Sequence, residues 1–188
     1  MRLSADDVRI AYPLFQTESG GVKPTSAFQL HFGPIDWKRY QSLNELWHSR
    51  LPKITNAQSH RMCYAAEYDG IFYAVAGWSN PLARMLPQQE WLELRRMAIA
   101  DDAPKNTASR FLAWMIRDIR KRFCDVEKLI SYQDTAVHKG TIYSASGWIN
   151  IGVTNKDGSW DRPNRSRVVA QAMSPKIRWE KDLICPST

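Results

Sequence analysis

Two β-rich runs that meet at Asp69-Gly70 constrain the fold of this chain more than any other feature of its sequence. The runs cover residues 61–68 and 71–78 and are rich in aromatic and other apolar side chains. Asp-Gly readily adopts the positive φ angles of a two-residue turn, and between apolar runs it is the strongest short-range signal for a β-hairpin. The sequence therefore predicts two adjacent antiparallel strands.

Helical and extended patterns alternate through the rest of the chain. Apolar residues recur at helical spacing over residues 36–51, 107–123 and 138–146. Extended patterns cover residues 91–99, 129–133, 148–153 and 176–181. Regular alternation in the first of these strands places Arg95 with Glu93 on one face, and Arg96 with Leu94 on the other. Antiparallel strands followed by a strand–helix–strand unit predict a mixed α/β sheet, and the length predicts one domain.

The net charge of +7 is confined to one half of the chain. Residues 1–94 carry nine basic and nine acidic side chains, whereas residues 95–188 carry 17 basic and 10 acidic ones. This asymmetry favours a polyanionic partner such as nucleic acid or a phosphate-bearing cofactor, although a solvated basic surface gives the same balance. A late basic loop offers phosphate contacts beside a ring for stacking on bases, through Trp160, Arg162, Arg165 and Arg167.

The sequence predicts a cytoplasmic protein without a membrane segment. Residues 1–7 contain no apolar stretch of the kind found in a secretory signal, and no run approaches about 18 apolar residues. Three scattered cysteines form neither a CxxC pair nor a zinc spacing, so we expect reduced thiols, with Cys63 and Cys124 buried.

Two stretches carry a family resemblance. The first is LELRRM at residues 92–97 with APKNTASRFL at residues 103–112, and the second is ISYQD at residues 130–134 with HKGTIYSASGW at residues 138–148. They resemble the Mom-like proteins of phages and prophages over about residues 40–152. The fold of those proteins is similar to that of the Gcn5-related N-acetyltransferases (GNAT).

This resemblance implies a fold, an activity and a partner. The fold is a single GNAT-like domain over residues 1–188, with a mostly antiparallel twisted sheet flanked by helices. Its core covers about residues 28–155, and a basic loop and strand follow at 156–188. The activity is addition of a carbamoylmethyl, glycinamide-like group to adenine N6 in phage DNA, which blocks host restriction enzymes. DNA and a small-molecule donor are the partners, in the host cytoplasm.

The resemblance also implies catalytic positions. Matching the family motifs residue by residue gives Arg96, Ser109, Asp134, Tyr143 and, where the family has a histidine–tyrosine pair, His48. Asp134 is then a general base toward an exocyclic amine or a metal ligand, or instead an N-cap for the segment that follows. Tyr143 donates a proton or orients the donor, unless it is only a half-buried aromatic side chain.

Ser109 and Arg96 have alternatives as well. For Ser109 we prefer donor binding to a nucleophilic role, because no elbow motif surrounds it. Arg96 is either an anion clamp or a surface arginine paired with Glu93 or Asp101.

Cofactor binding departs from the standard acetyltransferase pattern. Those enzymes hold the pyrophosphate of acetyl-CoA with a Gln/Arg-x-x-Gly-x-Gly/Ala loop, whereas residues 101–108 read DDAPKNTA, with two acids and no glycine. The helix N-terminus after this loop still favours an anionic donor. The residues that we expect around the donor are Met97, Ala98, Lys105, Asn106, Thr107, Ser109 and Arg110. A two-histidine, one-carboxylate iron site would use His48, Asp134 and His138.

Three functions follow from these observations. The first is Mom-like modification of DNA adenine, and the second is acyl-CoA-dependent N-acetylation of a small amine or a protein. The third is a catalytically inert phage protein that binds nucleic acid or a host protein. The oligomeric state stays open, with a homodimer as one alternative.

Overall fold

The computed structural model describes residue 9 and residues 23–48, 60–154 and 175–183. Within these residues seven strands form one sheet in the order β1-β2-β3-β4-β5-β7-β6. Their bounds are β1 His31–Pro34, β2 His60–Tyr68, β3 Ile71–Ser79, β4 Trp91–Ile99, β5 Lys128–Asp134, β6 Ile149–Thr154 and β7 Lys176–Asp182. All neighbouring strands pair antiparallel except β4 and β5, which run parallel. The prediction of a mixed, mostly antiparallel sheet is confirmed.

Helices lie on both faces of this sheet. They are α1 Trp37–Trp47, α2 Thr107–Arg122 and the short α3 Thr141–Ala145. Helix α1 packs over β2, β3 and β4 around Tyr40, Leu43 and Val75. The opposite face carries the larger core, in which α2 and α3 pack against Trp78, Leu92, Leu94 and their neighbours. We refer to these two sides as the α1 face and the α2 face.

The turn between β2 and β3 confirms the feature that most constrained the fold. Asp69 and Gly70 both have positive φ, 49° and 74°. This is the geometry of a type I′ turn, whose twist matches that of the flanking strands.

A β-bulge in β4 overturns the predicted alternation along that strand. Arg96 pairs with Gly77, but Leu94 pairs with the next β3 residue, Trp78, so Arg95 is the extra residue. Leu94 therefore packs in the core of the α2 face, while Arg96 lies on the α1 face. The prediction that these two side chains share a face is wrong, because a bulge shifts the register by one residue.

Strands β4 and β5 separate part of the way along their length. Their pairing runs from Trp91 opposite Lys128 to Leu94 opposite Ser131. Beyond that point, within the described ranges, β4 pairs with β3 alone and β5 pairs with β7 alone. The two strands thus form a fork that opens toward their carboxyl ends, where β4 leads to α2 and β5 leads to α3.

Other differences from the sequence predictions lie at the ends of elements. Helix α1 ends at Trp47 instead of residue 51, with His48 as its C-cap, and residues 49–51 lie outside the described residues. Helix α3 begins at Thr141, three residues later than predicted. Strand β1 and the single 3₁₀ turn Ala27–Gln29 were not predicted at all.

The cysteine and membrane predictions have separate outcomes. Cys63 is buried as predicted, but Cys124 is exposed, because it follows the C-cap of α2 on the surface. In the part of the chain that the structure describes, none of the helices is both long enough and apolar enough to cross a lipid bilayer.

Candidate functional site

The open end of the fork between β4 and β5 is the candidate site. Ligands of open α/β sheets bind outside the carboxyl ends of strands where neighbouring connections leave in different directions. Here the connection after β4 leads to α2, and the connection after β5 leads through residues 135–140 to α3. Most of the positions carried over from the family lie around this opening, but on two different faces of the sheet.

Tyr143 lies on the α2 face, directly beside the point where the strands separate. Its hydroxyl is 2.8 Å from Ser131 Oγ, and Ser131 Oγ lies 3.5 Å from the carbonyl oxygen of Leu94. Leu94 and Ser131 form the last β4–β5 pair, so the tyrosine hydroxyl lies at the apex of the fork. Burial raises the pKa of Tyr143, which keeps its hydroxyl protonated.

Two tryptophans hold the ring of Tyr143 in place. The Tyr143 ring stacks on Trp179 of β7 with centroids 5.3 Å apart and meets the edge of Trp148 at 5.5 Å. Buried aromatic pairs of this kind add about 0.5–1.5 kcal/mol beyond their buried area. Tyr143 is therefore a fixed group with a defined hydroxyl direction.

Ser109 lies in the first turn of α2 on the same face. Its Oγ donates to the carbonyl of Asn106 at 3.2 Å, and its own carbonyl accepts from Ser146 Oγ at 3.4 Å. The second contact joins the start of α2 to the end of α3. The hydroxyl proton of Ser109 is engaged with the backbone, so the lone pairs of its oxygen are the part left to a ligand.

His48 and Arg96 lie on the α1 face of the fork. Burial lowers the pKa of His48, and the nearby charge of Arg96 lowers it further, as does that of His138. The imidazole is thus neutral near pH 7 and able to accept a proton. Burial also lowers the pKa of Arg96, without removing the charge of a group that titrates so high.

Asp134 closes a turn at the end of β5. Its side chain accepts from the backbone N–H of Ala136 at 2.9 Å, and its carbonyl accepts from the N–H of His138 at 3.0 Å. Gly140 occupies the N-cap of α3, so Asp134 caps only the turn that starts at Thr135 and not α3 itself. Side chains alternate along β5, which places Asp134 and Ser131 on opposite faces.

Gln133 is a site residue that sequence reasoning missed. Its amide oxygen accepts from Trp179 Nε1 at 2.7 Å, and its amide nitrogen donates to the carbonyl of His138. It is 5% exposed and ties the turn after β5 to the tryptophan beneath Tyr143. Ser131 was missed in the same way. Both residues lie within the ISYQD stretch at residues 130–134, but only Asp134 of that stretch was carried over as a site residue.

The predicted iron site is not supported. Within residues 23–48, 60–154 and 175–183, no group of three or more histidine, cysteine, aspartate or glutamate side chains is arranged to hold a metal ion. His48 and His138 are close enough for their charges to interact, but the Asp134 carboxylate holds the backbone of Ala136.

The predicted donor-binding residues are dispersed. Met97 packs against the core of the α2 face, whereas Ala98 is buried under α1. Lys105 and Asn106 are exposed, and Thr107 Oγ1 donates to the carbonyl of Pro104 at 2.7 Å. The guanidinium of Arg110 lies 3.9 Å from the centroid of the Phe28 ring.

The loop between β4 and α2 keeps a negative charge. Burial alone would raise the pKa of Asp102, but hydrogen bonds and charges from Arg9 and Lys23 outweigh burial and lower it. Asp102 is paired with Arg9, and its second oxygen lies 3.3 Å from Lys23 Nζ. Arg9 and Lys23 therefore share one carboxylate beside this loop.

The basic loop predicted to contact nucleic acid cannot be placed. Trp160, Arg162, Arg165 and Arg167 lie outside the described residues.

Solved structures with the same architecture are GNAT acetyltransferases. The ribosomal-protein-S18-alanine N-acetyltransferase of Escherichia coli is 10% identical, with a TM-score of 0.57 over 84% of this chain and 96% of that one. A spermidine N-acetyltransferase variant of Vibrio cholerae is 9% identical, with a TM-score of 0.59 over 83% and 95%. A GNAT acetyltransferase of Elizabethkingia anophelis with acetyl-CoA bound is 12% identical, with a TM-score of 0.53 over 82% and 99%. The fold is therefore that of the GNAT superfamily.

The sequence assigns the chain to one family among the proteins with that fold. The profile of the Mom protein family matches residues 73–181, more than half of the chain, and the chain belongs to this family. No curated protein gives a significant match to the sequence. Family and fold together support the prediction of a transferase and confirm the resemblance seen in the two sequence stretches.

Proposed function

We propose that this protein transfers a small group from an activated donor to the N6 amine of adenine in DNA. The observation that carries the proposal is the fork itself, which has a protonated tyrosine hydroxyl on one face and a neutral histidine beside an arginine on the other. A donor and an acceptor that approach from opposite faces meet between β4 and β5.

Tyr143 is the proton donor in this reaction. Burial raises its pKa, so the phenol stays protonated at neutral pH and has a proton to give. As the amine nitrogen bonds to the electrophilic carbon of the donor, the bond from that carbon to the leaving group breaks. The leaving group takes the Tyr143 proton, and Tyr143 regains one from water.

His48 is the proton acceptor. The amine gains a positive charge when it attacks and must lose a proton to give the neutral product. A neutral imidazole on the α1 face accepts that proton and later releases it to water. Asp134 ends β5 on the same face and is the second candidate, with one of its oxygens engaged by Ala136 N–H.

DNA as the acceptor is supported by charge and by family. The whole +7 lies in residues 95–188, the half that contains β4 beyond the fork, α2 and the basic loop. A stacked adenine hides its N6 group from a protein pocket, so the base must be flipped or the strand open. Membership of the Mom family supplies the chemistry, since the resemblance implies adenine as the target.

The loop that would hold the pyrophosphate of acetyl-CoA departs from the standard acetyltransferase pattern. Residues 101–106 contain no glycine for close backbone approach. No step proposed above depends on coenzyme A. N-acetylation of a small amine or a protein is nevertheless the second candidate function, because the fold is that of acetyltransferases.

Restriction of cellular DNA tests the proposal. DNA from cells that express the protein is digested with endonucleases whose sites contain adenine, and with others whose sites contain only guanine and cytosine. We expect protection at the first set alone, and loss of protection in Tyr143→Phe. Complete cutting of all sites would contradict the proposal, and tight acetyl-CoA binding by calorimetry would then favour the second candidate.

A further inference from the structure

The bulge in β4 brings two arginines together at the mouth of the fork. Arg95 and Arg96 are the first β4 residues beyond the last β4–β5 pair, and Arg95 is the residue inserted by the bulge. Both guanidinium charges act on the hydroxyl of Tyr40 in α1, which places the two side chains on the α1 face. Regular alternation would have separated them onto opposite faces.

Tyr40 lies directly over the strand pair that carries Arg96. Gly77 is the β3 partner of Arg96, and a Cβ on Gly77 would lie 2.5 Å from Tyr40 Oη. The missing side chain of Gly77 is what allows the hydroxyl to approach the sheet so closely. Tyr40 and Asn44 of α1 and its C-cap residue His48 follow at intervals of four residues and lie on the side of α1 that faces Arg96.

Polar atoms in this group lack partners. Among the residues that the structure describes, four buried atoms of this group make no hydrogen bond: Nη1 of Arg95, Nη1 of Arg96, Oη of Tyr40 and Oδ1 of Asn44. Buried polar atoms in proteins nearly always have partners, so several orphans in one place require an explanation. Three of the four can donate a hydrogen bond, which matches an acceptor ligand.

The charges around the two arginines also favour a bound anion. Glu93 lies 3.4 Å from Arg95 Nε, and among the described residues no carboxylate lies within 4 Å of the Arg96 guanidinium. One carboxylate therefore faces two adjacent cations. Burial raises the pKa of Glu93, although the N–H of Leu82 and the charge of Arg95 act against that rise. An added anion would relieve the repulsion between the two arginines.

We propose that Arg95 and Arg96, with the hydroxyl of Tyr40, bind an oxyanion of the substrate on the α1 face of the fork. The guanidinium groups match the planar, doubly accepting geometry of a carboxylate or a phosphate. The inference rests on the proposed function, because it names the chemistry of a substrate of that same site. The oxyanion belongs either to a small-molecule carboxylate or to a phosphodiester beside the target base.

Direct binding tests the site without any need for turnover. Acetate and inorganic phosphate are titrated by calorimetry into the wild type, Arg95→Gln, Arg96→Gln and Tyr40→Phe. Arg117→Gln is the matched control, because Arg117 is exposed on α2. Circular dichroism and the melting temperature check that each variant is folded. We expect at least tenfold weaker anion binding in both arginine variants, weaker binding in Tyr40→Phe, and no change in the control.

A second titration, with a short DNA duplex at several salt concentrations, separates the two sources of the oxyanion. If the source is a phosphodiester, each arginine variant lowers the slope of log affinity against log salt by about one. If it is a small carboxylate, duplex affinity is unchanged while anion binding is lost. Failure of the wild type to bind either anion, or equal binding by all variants, would overturn this proposal. Failure of the proposed function would instead appear as unmodified DNA from cells whose protein still binds anions.

Discussion

The hydroxyl of Tyr143 lies 2.8 Å from Ser131 Oγ at the point where β4 and β5 separate. The contact joins a helix that follows β5 to the strand itself, and it is buried. It fixes the position of the tyrosine hydroxyl at the opening through which donor and acceptor must meet.

Removal of the Ser131 hydroxyl and removal of the Tyr143 hydroxyl are expected to affect the free energy of unfolding differently. Ser131→Ala leaves the buried Tyr143 hydroxyl without its partner, so we expect a loss of about 1–3 kcal/mol in the free energy of unfolding. Tyr143→Phe removes the buried hydroxyl, keeps the stacked ring on Trp179 and leaves Ser131 near the Leu94 carbonyl, so we expect a loss of only about 1 kcal/mol. Urea unfolding of both variants measures the difference. A larger loss in Tyr143→Phe would argue against the assigned geometry.

Gln133→Leu is expected to destabilise the turn after β5. The change leaves the Trp179 N–H and the His138 carbonyl without their partner, which costs about 2–4 kcal/mol when both groups stay buried. We also expect faster amide hydrogen exchange in residues 134–140. Gln89→Leu is the matched control, because Gln89 is exposed. Equal stability of the two variants would show that Gln133 does not hold this turn.

Gly77→Ala is expected to cost about 1–3 kcal/mol through overpacking against Tyr40. The added methyl would lie 2.5 Å from Tyr40 Oη and 2.6 Å from its Cζ. Gly33→Ala is the control, because nothing lies within 4 Å of a Cβ at that position. The clash should be smaller in a Tyr40→Leu background, and a double-mutant cycle from thermal unfolding measures that coupling. Additive effects would contradict the close approach.

The histidine at the end of α1 predicts a pH dependence. The pKa of His48 in the folded protein lies below its ordinary value of 6.5, through burial first and then the charge of Arg96. The unfolded chain therefore binds more protons just below pH 6.5, so this stabilising contribution is complete above that pH and declines as the pH falls toward the folded pKa. We expect His48→Gln to flatten this part of the stability curve. A curve of unchanged shape in the variant would show that His48 titrates normally.

Local signals in the sequence were sufficient for most of the fold. Asp69-Gly70 alone predicts the turn between β2 and β3. The amphipathic pattern of α2 predicts a helix without information about the elements that pack against it. The bulge at Arg95 could not be predicted in this way, because it is defined by the register of β4 against Gly77 and Trp78. Strand β1 is short and acquires its extended form by pairing with β2.

The site was predicted at positions where a family role could be carried over, and it was missed at positions whose role comes from tertiary packing alone. Tyr143 and Ser109 belong to stretches that resemble the family, and the structure places both on the α2 face beside the fork. Gln133 acquires its role from Trp179, which lies 46 residues later in the chain. No local sequence pattern relates Gln133 to Trp179, because the two residues come into contact only when β5 pairs with β7.

Mass analysis of nucleosides tests the central claim most directly. DNA is purified from cells that express the wild type, Tyr143→Phe or no protein, digested to nucleosides and separated. The account predicts a deoxyadenosine of increased mass in the wild-type sample alone. A wild-type sample that contains only unmodified deoxyadenosine, or an equal yield of modified nucleoside from Tyr143→Phe, would contradict it.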